Sequence, residues 1–193
     1  MPLPNANGAD NDLRCGDCLR ESPAFDATVV AADYAPPLDQ LVLALKFGDK
    51  LALAPLFARL LADALLHSRA APLPALLTGV PLSAIRLMER GFNQTLEIAK
   101  PLSRLTGIAL EPQLLTRIRE TLPQTLLAPQ QRRRNIAGAF DLSPQCAGMV
   151  AGRHIGVVDD VITTGQTLNE IAAVLKQCGA VRVTNLVFAR TLR

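Results

Sequence analysis

The segment that decides the fold reads Gly156-Val157-Val158-Asp159-Asp160-Val161-Ile162-Thr163-Thr164-Gly165-Gln166-Thr167. The apolar run over 155–158 predicts a buried strand, and two adjacent carboxylates follow it. Behind the segment, apolar residues recur at helical spacing at Leu168, Ile171, Ala172 and Leu175. The sequence therefore predicts a strand, an acidic turn, a loop of hydroxyls and glycine, and then a helix.

The loop between this strand and helix has the chemistry of a phosphate site. Small side chains, hydroxyls and backbone N–H groups lie where the N-terminus of a helix favours an anion. The alternative is an ordinary loop whose Asp and Thr side chains only cap the helix. Capping needs one such residue, so the whole array favours phosphate. The binding candidates are Val161, Thr163, Thr164, Gly165, Gln166 and Thr167.

The carboxylate pair Asp159 and Asp160 needs a separate explanation, because negative charge beside a phosphate site repels the ligand. The two carboxylates are explained if they bind sugar hydroxyls, a metal ion or both. A ligand with a ribose and a 5′-phosphate satisfies both halves of the segment. The carboxylates accept hydrogen bonds from the 2′ and 3′ hydroxyls, and the Thr-rich loop holds the phosphate.

The composition of the chain is consistent with one main α/β domain but is less informative than the motif. Its 193 residues suit one such domain with at most a small appendage, and 49% hydrophobic residues with 4% aromatics predict an aliphatic core. A net charge of +3 is too mild to indicate nucleic-acid binding by itself. The first residues lack the basic and apolar regions of a secretory signal, and no apolar run reaches membrane-spanning length. We expect a cytoplasmic location and no membrane insertion.

Strand and helix patterns alternate along the chain, which predicts a central, mainly parallel sheet flanked by helices. Prolines at 36, 37, 72 and 74 separate the early elements. Pro101 is expected to kink or shorten the helix that contains it. The predicted strands cover 27–34, 75–80, 114–118, 155–158 and 181–188, and the predicted helices cover 38–47, 53–66 and 93–105.

A second informative segment follows the predicted strand over 75–80. It begins with Val80, Pro81 and Leu82, continues as a loop with Arg86 and Arg90, and enters a helix at residues 91–94. Ligands bind outside the carboxyl ends of strands in open α/β sheets, so both arginines are expected near the acid pair. Arginine offers planar donors that match phosphate oxygens. The alternative is that the two arginines form one solvated helical face.

A third segment, 117–135, is locally basic, with arginines at 117, 119 and 132–134 against one glutamate. Its Pro, Gln and Thr content favours a mobile segment that is not part of the core. Such a segment suits closure over a polyphosphate or contact with nucleic-acid phosphates. An ordinary exposed basic loop is the third alternative. The catalytic candidates of the chain are Asp159, Asp160, Arg117 and Arg119.

Cys15 and Cys18 form one CxxC turn, half of the usual four-ligand zinc set. No second pair is available, and the two histidines, His67 and His154, lie far away in sequence. We therefore expect no closed zinc site within this chain. Residues 1–22 are interpreted as a flexible arm or a residual half of a zinc ribbon, and 23–193 as the main domain.

These motifs together resemble the ComF (ComFC/GntX-like) family, in a match that runs from Cys15 to Thr191. The motifs are Cys15-Gly16-Asp17-Cys18, Leu45-Lys46-Phe47, Val80-Pro81-Leu82, Arg90-Gly91-Phe92-Asn93-Gln94, Thr121 with Gln124, Arg134-Asn135 with Gly138-Ala139-Phe140, and the acid pair with its Thr/Gly loop. Family members often carry a four-cysteine ribbon, of which only one pair is present here.

The resemblance implies a type I phosphoribosyltransferase-like fold and a bacterial role in natural competence and DNA uptake. It implies that Asp159, Asp160 and the loop 163–167 bind phosphoribosyl pyrophosphate (PRPP), and that 80–82 form the pyrophosphate loop. The segment 117–140 would include the flexible loop over the site. Mg²⁺ would bind through the ligand, with Asp159 and Asp160 as candidate protein ligands.

The reaction stays open at this point. One hypothesis is transfer of a phosphoribosyl group to an acceptor that the sequence does not identify. A second is a non-catalytic sensor of PRPP or another nucleotide that acts on DNA-processing or competence-machinery proteins. A third is binding of single-stranded DNA by the basic segment.

Overall fold

The computed structural model describes residues 21–48, 50–68, 72–119 and 136–191. The strands are β1 Ala27–Asp33, β2 Leu76–Gly79, β3 Ala109–Leu110, β4 Leu115–Arg117, β5 Phe140–Leu142, β6 His154–Ile162 and β7 Arg182–Arg190. The α-helices are α1 Leu38–Phe47, α2 Ala54–His67, α3 Ala84–Arg90, α4 Gln94–Thr106 and α5 Gln166–Gln177. Short 3₁₀ turns cover Leu51–Leu53 and Pro144–Met149.

Five strands of the described chain form the central sheet, in the order β1-β7-β6-β2-β3. Each neighbouring pair is parallel. The apolar runs of β6 and β7 suit their inner positions, because strands covered on both faces bury nearly every side chain. The predicted α/β fold, a mainly parallel sheet flanked by helices, is confirmed.

Helices cover the two faces of this sheet and divide the core into two clusters. Under α1, α2 and α4 the buried residues include Leu45 and Ile98. Phe57 of α2 stacks on Phe188 of β7 there, with ring centroids 3.7 Å apart. Under α5 and the β4–β5 hairpin, the core includes Ile171. Each large apolar side chain so buried contributes about 1.5–3 kcal/mol.

The strand predicted over 114–118 exists as β4, but it lies outside the central sheet. It pairs antiparallel with β5, with Arg117 opposite Phe140. The sequence analysis missed β5, which has three residues, and β3, which has two. Strands this short show too little alternation to be recognised from sequence.

The segment predicted as a loop with two arginines is helical, so that prediction is wrong. Its helix, α3, begins after Ser83, whose Oγ accepts a hydrogen bond from the Arg86 N–H at 3.4 Å. It ends at Gly91, which has the left-handed conformation with φ 77°. Ser83 as the N-cap and Gly91 as the C-cap are ordinary helix signals. The helix was missed because its seven residues show too little periodicity.

Pro101 does not shorten its helix, so that part of the prediction is wrong. The helix α4 continues to Thr106 with Pro101 inside it. A proline removes one backbone donor, but Ile98 and Leu102 are fully buried on the face that packs against the sheet. Tertiary packing therefore outweighs the lost hydrogen bond.

Candidate functional site

The sequence had predicted that the acid pair lies in a turn, and that prediction is wrong. Asp159 and Asp160 both lie within the strand β6. The strand continues past Val158 to Ile162, because β7 pairs alongside it as far as Arg190. Successive side chains of a strand point to opposite faces of the sheet. Val157 packs in the core under α5 and Val158 in the core under α1. The Asp159 carboxylate therefore faces α5, and that of Asp160 faces α1.

Each of the two carboxylates also fixes the backbone that follows it. Asp159 Oδ1 accepts a hydrogen bond from the Asp160 N–H at 2.9 Å, and Asp160 Oδ1 accepts one from the Val161 N–H at 2.8 Å. These bonds hold the end of β6 in one conformation. They leave the second oxygen of each carboxylate for other partners.

Lys46 at the end of α1 is a site residue that the sequence analysis did not assign a role. Its Nζ lies 2.8 Å from Asp160 Oδ2, and the Asp160 side chain is only 4% exposed. A lysine at the carboxyl end of a helix is usually explained by its favourable interaction with the helix dipole. The sequence therefore provided no separate reason to assign Lys46 to the site. Here the lysine neutralises the buried acid and ties α1 to the carboxyl end of β6.

Asp159 has a different electrostatic environment from its neighbour. Burial and the adjacent Asp160 charge raise the pKa of Asp159 well above its ordinary value, while Lys46 acts in the opposite direction. The native protein therefore keeps a proton on Asp159 that the unfolded chain has already released. Because the folded state binds more protons, the free energy of unfolding falls as pH rises from about 3.9 through this raised pKa.

Asp159→Asn is expected to raise the melting temperature at pH 7, because the amide avoids the cost that the folded protein bears at Asp159, where the carboxyl must either keep its proton or ionise in an unfavourable environment. The expected rise is about 2–4 °C, which corresponds to roughly 1 kcal/mol in a chain of this size. The gain should vanish below about pH 3.9, where the carboxyl is protonated in both states. Thermal melts of both proteins from pH 3 to 8 test this. Asp63→Asn on the exposed side of α2 is the control, and equal or lower stability of Asp159→Asn at pH 7 would contradict the account.

The loop between β6 and α5 has the geometry of an anion site. Gly165 caps α5 in the left-handed conformation, with φ 74°. The ladder of the helix begins where the Asn169 N–H donates to the Gly165 carbonyl at 2.8 Å, so the preceding N–H groups lie at its positive end. The Thr164 hydroxyl and the Gln166 amide oxygen are withdrawn from solvent without a hydrogen-bond partner in the described chain.

Asp159 and this loop share one concavity, whereas Asp160 is not part of its lining. Its lining joins Asp159 to the residues at the start of α5. The phosphate candidates are part of that lining, apart from Thr164. The lining consists of Asp159, Val161, Ile162, Thr163, Gly165, Gln166, Thr167 and Leu168.

The loop after β2 lies beside the acid pair, as the position of its strand predicts. The Val80 N–H donates to the Val158 carbonyl at 3.0 Å, next to Asp159. The Val80 carbonyl accepts from Asn93 Nδ2 at 3.1 Å and from Thr95 Oγ1 at 2.9 Å. The start of α4 therefore holds this loop, which explains why the motif at 90–94 accompanies it.

Gly79 provides the close approach between β2 and α4 that this arrangement requires. A Cβ at this position would lie 2.7 Å from Thr95 Oγ1 and 2.8 Å from Leu96 Cδ2. Both distances are shorter than normal packing allows, so these two side chains, or the helix that carries them, would have to shift. The loop 80–82 is thus positioned by a glycine on one side and by Asn93 and Thr95 on the other.

The two arginines of α3 differ in their placement. Arg90 donates a hydrogen bond to Gln94 Oε1, and its guanidinium lies 4.9 Å from the ring centroid of Phe47. Burial lowers the pKa of Arg90, and the charge of Asp160 opposes that shift. Arg90 is therefore brought to the α1 side of the acid pair. Arg86 lies one turn earlier on α3, partly exposed.

Arg117 and Arg119 lie at the β4–β5 hairpin beside α5. The Arg117 guanidinium is 5.5 Å from the Phe140 ring centroid, and Arg119 donates to the Ala137 carbonyl at 2.6 Å. Glu170 of α5 accepts a hydrogen bond from the Gly138 N–H at 2.7 Å, which fastens the hairpin to the helix. Both arginines serve the hairpin here, and their predicted catalytic role stays a prediction.

Several predicted features fall outside the described residues. Cys15 and Cys18 lie there, as do Arg132, Arg133 and Arg134 of the basic segment. Within the described ranges, no group of three or more His, Cys, Asp and Glu side chains could hold a metal ion. None of the helices in those ranges combines the length and apolar character needed to cross a bilayer.

A parallel sheet with an acid pair and a glycine-capped helix at its carboxyl edge is the arrangement of a phosphoribosyl transferase domain. The family described as phosphoribosyl transferase domain matches residues 56–192, which include the acid pair and the loop 163–167. This match covers most of the chain and defines its class.

Curated relatives narrow the class further. The chain is 41% identical over 183 residues to DNA utilization protein YhgH of Escherichia coli O157:H7, a match that covers 93% of this chain and 79% of the relative. It is 34% identical over 168 residues to competence protein F of Haemophilus influenzae, with 86% and 73% covered. The chain belongs to the phosphoribosyl transferase domain family, in its ComF branch.

Among solved structures, the chain is similar to the glutamine phosphoribosylpyrophosphate amidotransferase of B. subtilis. The identity is 20% and the TM-score is 0.49, over 75% of this chain and 30% of that chain.

Proposed function

We propose that this protein binds PRPP at the carboxyl edge of its sheet. The observation that carries the proposal is the shared concavity, in which Asp159 and the glycine-capped start of α5 face the same ligand volume. The 5′-phosphate would lie on the loop 163–167, where helix N–H groups and hydroxyls favour an anion. The ribose hydroxyls would donate hydrogen bonds to Asp159 and Asp160.

The chemistry of the donor set supports Mg²⁺ carried in with the ligand. Mg²⁺ usually keeps several waters and binds through one or two carboxylates together with phosphate oxygens. Two carboxylates fit that need, and Asp160 already holds Lys46. Mg²⁺ on the pyrophosphate oxygens would reduce their negative charge. Asp159, which faces the concavity, is the carboxylate best placed to contact such an ion directly or through water.

The remaining residues suit a transfer of the phosphoribosyl group from pyrophosphate to an acceptor. The loop 80–82 would face the departing pyrophosphate, with its backbone held by Asn93 and Thr95. Arg90 would add positive charge on the same side. Asp159 and Asp160 would orient the ribose and take no proton. The rival function is a non-catalytic PRPP sensor, which uses the same site without turnover.

The names of the relatives support a role of this chain in the uptake or use of DNA. Under either function the cellular task would be to link a phosphoribosyl ligand to DNA-processing proteins, in the cytoplasm. Direct binding of single-stranded DNA is the further alternative. It rests on Arg132 to Arg134, which lie outside the described residues.

Turnover separates the transferase from the sensor. We expect the protein with PRPP and Mg²⁺ to release pyrophosphate only when a suitable acceptor is added, as followed by a coupled assay for inorganic pyrophosphate. The double variant Asp159→Asn/Asp160→Asn is the blank, because it lacks the ribose contacts. PRPP binding without release across a broad acceptor panel would contradict the transferase and favour the sensor.

A further inference from the structure

The segment 24–26, which we call the strap, leads into β1 and contacts the first turn of α5. At its first residue, the Ala24 N–H donates a hydrogen bond to Asn169 Oδ1 at 2.7 Å. Asn169 also closes the first turn of the helix, because its own N–H donates to the Gly165 carbonyl at 2.8 Å. One residue of α5 therefore joins the strap to the glycine that caps the helix.

The other end of the strap is fastened to the sheet and to the last turn of α5. The Asp26 N–H donates to the Val183 carbonyl at 2.9 Å, and Asp26 Oδ2 accepts from the Val183 N–H at 2.7 Å. The same carboxylate oxygen lies 2.8 Å from Lys176 Nζ, which belongs to that last turn. The strap is thus held at both ends, and its middle residue, Phe25, lies between two fixed points.

The Phe25 side chain borders the loop between β6 and α5. Phe25 and Ile162, the last residue of β6, both pack against the core cluster under α5. Phe25 Cε1 lies 3.9 Å from the point that a Cβ on Gly165 would occupy, and Ile162 Cδ1 lies 3.5 Å from it. Both distances are ordinary van der Waals separations. The backbone at the helix cap therefore lies next to a ring that the strap supplies.

Support of this kind matters for an anion site that is built from backbone groups. Glycine has more conformational freedom to lose than any other residue, so a loop centred on Gly165 is costly to keep in one conformation. Backbone N–H groups favour an anion only when they converge on it. Any order that folding does not impose on the loop must be imposed when the ligand binds, which lowers affinity.

We propose that the strap positions the loop 163–167 for a phosphate group, with Phe25 and Asn169 as its positioning residues. The inference rests on the proposed phosphate site and adds the element that holds this site in shape before a ligand binds. Neither side chain is part of the lining of the concavity. Phe25 acts through its packing beside Gly165, and Asn169 acts through its two hydrogen bonds.

Hydrogen exchange of the unliganded full chain tests the positioning directly. The amides over 169–171, the first hydrogen-bonded positions of α5, are expected to exchange faster in Phe25→Ala. The increase should be roughly five- to thirtyfold, the effect of releasing the backbone of one residue. Phe25→Leu, which keeps an apolar side chain, should restore most of the protection. Phe57→Leu, buried on the other face of the sheet, is the matched control for lost stability and should leave these amides unchanged.

Calorimetry with ribose 5-phosphate measures the consequence for the proposed site. The affinity of Phe25→Ala and of Asn169→Leu should fall by roughly the same five- to thirtyfold factor, because the ligand must now order the loop. Asn169→Leu keeps the size of the side chain and removes only the acceptor for the Ala24 N–H. Phe57→Leu should keep the affinity of the unmodified protein. Thermal melts confirm that each variant is folded at the temperature of the titration.

The outcomes separate the strap from the function on which it rests. Unchanged exchange in Phe25→Ala, faster exchange with unchanged affinity, or an equal loss of affinity in Phe57→Leu would each overturn the positioning role and leave the phosphate site intact. Failure of the unmodified protein to bind both ribose 5-phosphate and PRPP would overturn the phosphate site and, with it, the role of the strap.

Discussion

Asp159→Asn combined with Asp160→Asn is expected to weaken PRPP binding more than a hundredfold. Each carboxylate would accept a charged hydrogen bond from the ribose, and such bonds contribute about 1.5–3 kcal/mol. Loss of both corresponds to about 3 kcal/mol or more, which is more than two orders of magnitude in affinity. Isothermal titration of PRPP with Mg²⁺ into both proteins measures the change.

The fold of this double variant should survive, because asparagine Oδ1 can still accept the bonds from the Asp160 and Val161 N–H groups. The main structural loss is the ion pair of Asp160 with Lys46, which retains contact with solvent. Asp63→Asn on the exposed side of α2 removes a carboxylate away from the site and should leave affinity unchanged. Affinity of the double variant within threefold of the unmodified protein would refute the ribose role.

Gly165→Val should weaken binding of the 5′-phosphate and also lower stability. The position has φ 74°, which costs an L-residue roughly 1–2 kcal/mol and costs a β-branched residue more. The loop must then change its backbone, so its N–H groups no longer converge on the phosphate. We expect the affinity for ribose 5-phosphate to fall at least tenfold, and the melting temperature to fall by about 4–8 °C for roughly 2 kcal/mol.

Gly107→Val separates these two effects. Gly107 ends α4 with φ 73°, and no heavy atom lies within 4 Å of a Cβ built there. Since α4 connects the parallel strands β2 and β3, its end lies at the opposite edge of the sheet from the site. This variant should lose similar stability and keep its affinity for ribose 5-phosphate. Equal losses of affinity in the two variants would mean that Gly165 acts only through stability.

The loop between β6 and α5 could be predicted from sequence because its signals are local. Residues 163–167 supply the hydroxyls, the glycine and the start of a helix in one continuous stretch. Each of these features depends on neighbours within a few residues. The fold class followed from the alternation of strand and helix patterns for the same reason, since each element shows its own period.

Contacts between distant elements could not be predicted in this way. Lys46 and Asp160 are far apart in sequence, and only the packing of α1 on the sheet brings them together. The opposite directions of Asp159 and Asp160 depend on how far β6 extends, which the pairing with β7 decides. The exposed ring of Phe47 has no local signature, because a phenylalanine at the end of an apolar helical stripe usually lies in the core.

The most direct test of the central claim is a calorimetric titration of PRPP into the unmodified protein, with and without Mg²⁺. We predict saturable binding in the micromolar range that depends on Mg²⁺, competes with ribose 5-phosphate and disappears in Asp159→Asn/Asp160→Asn. Absence of heat, together with no thermal stabilisation by PRPP under any of these conditions, would contradict the assignment of this edge of the sheet as a phosphoribosyl site.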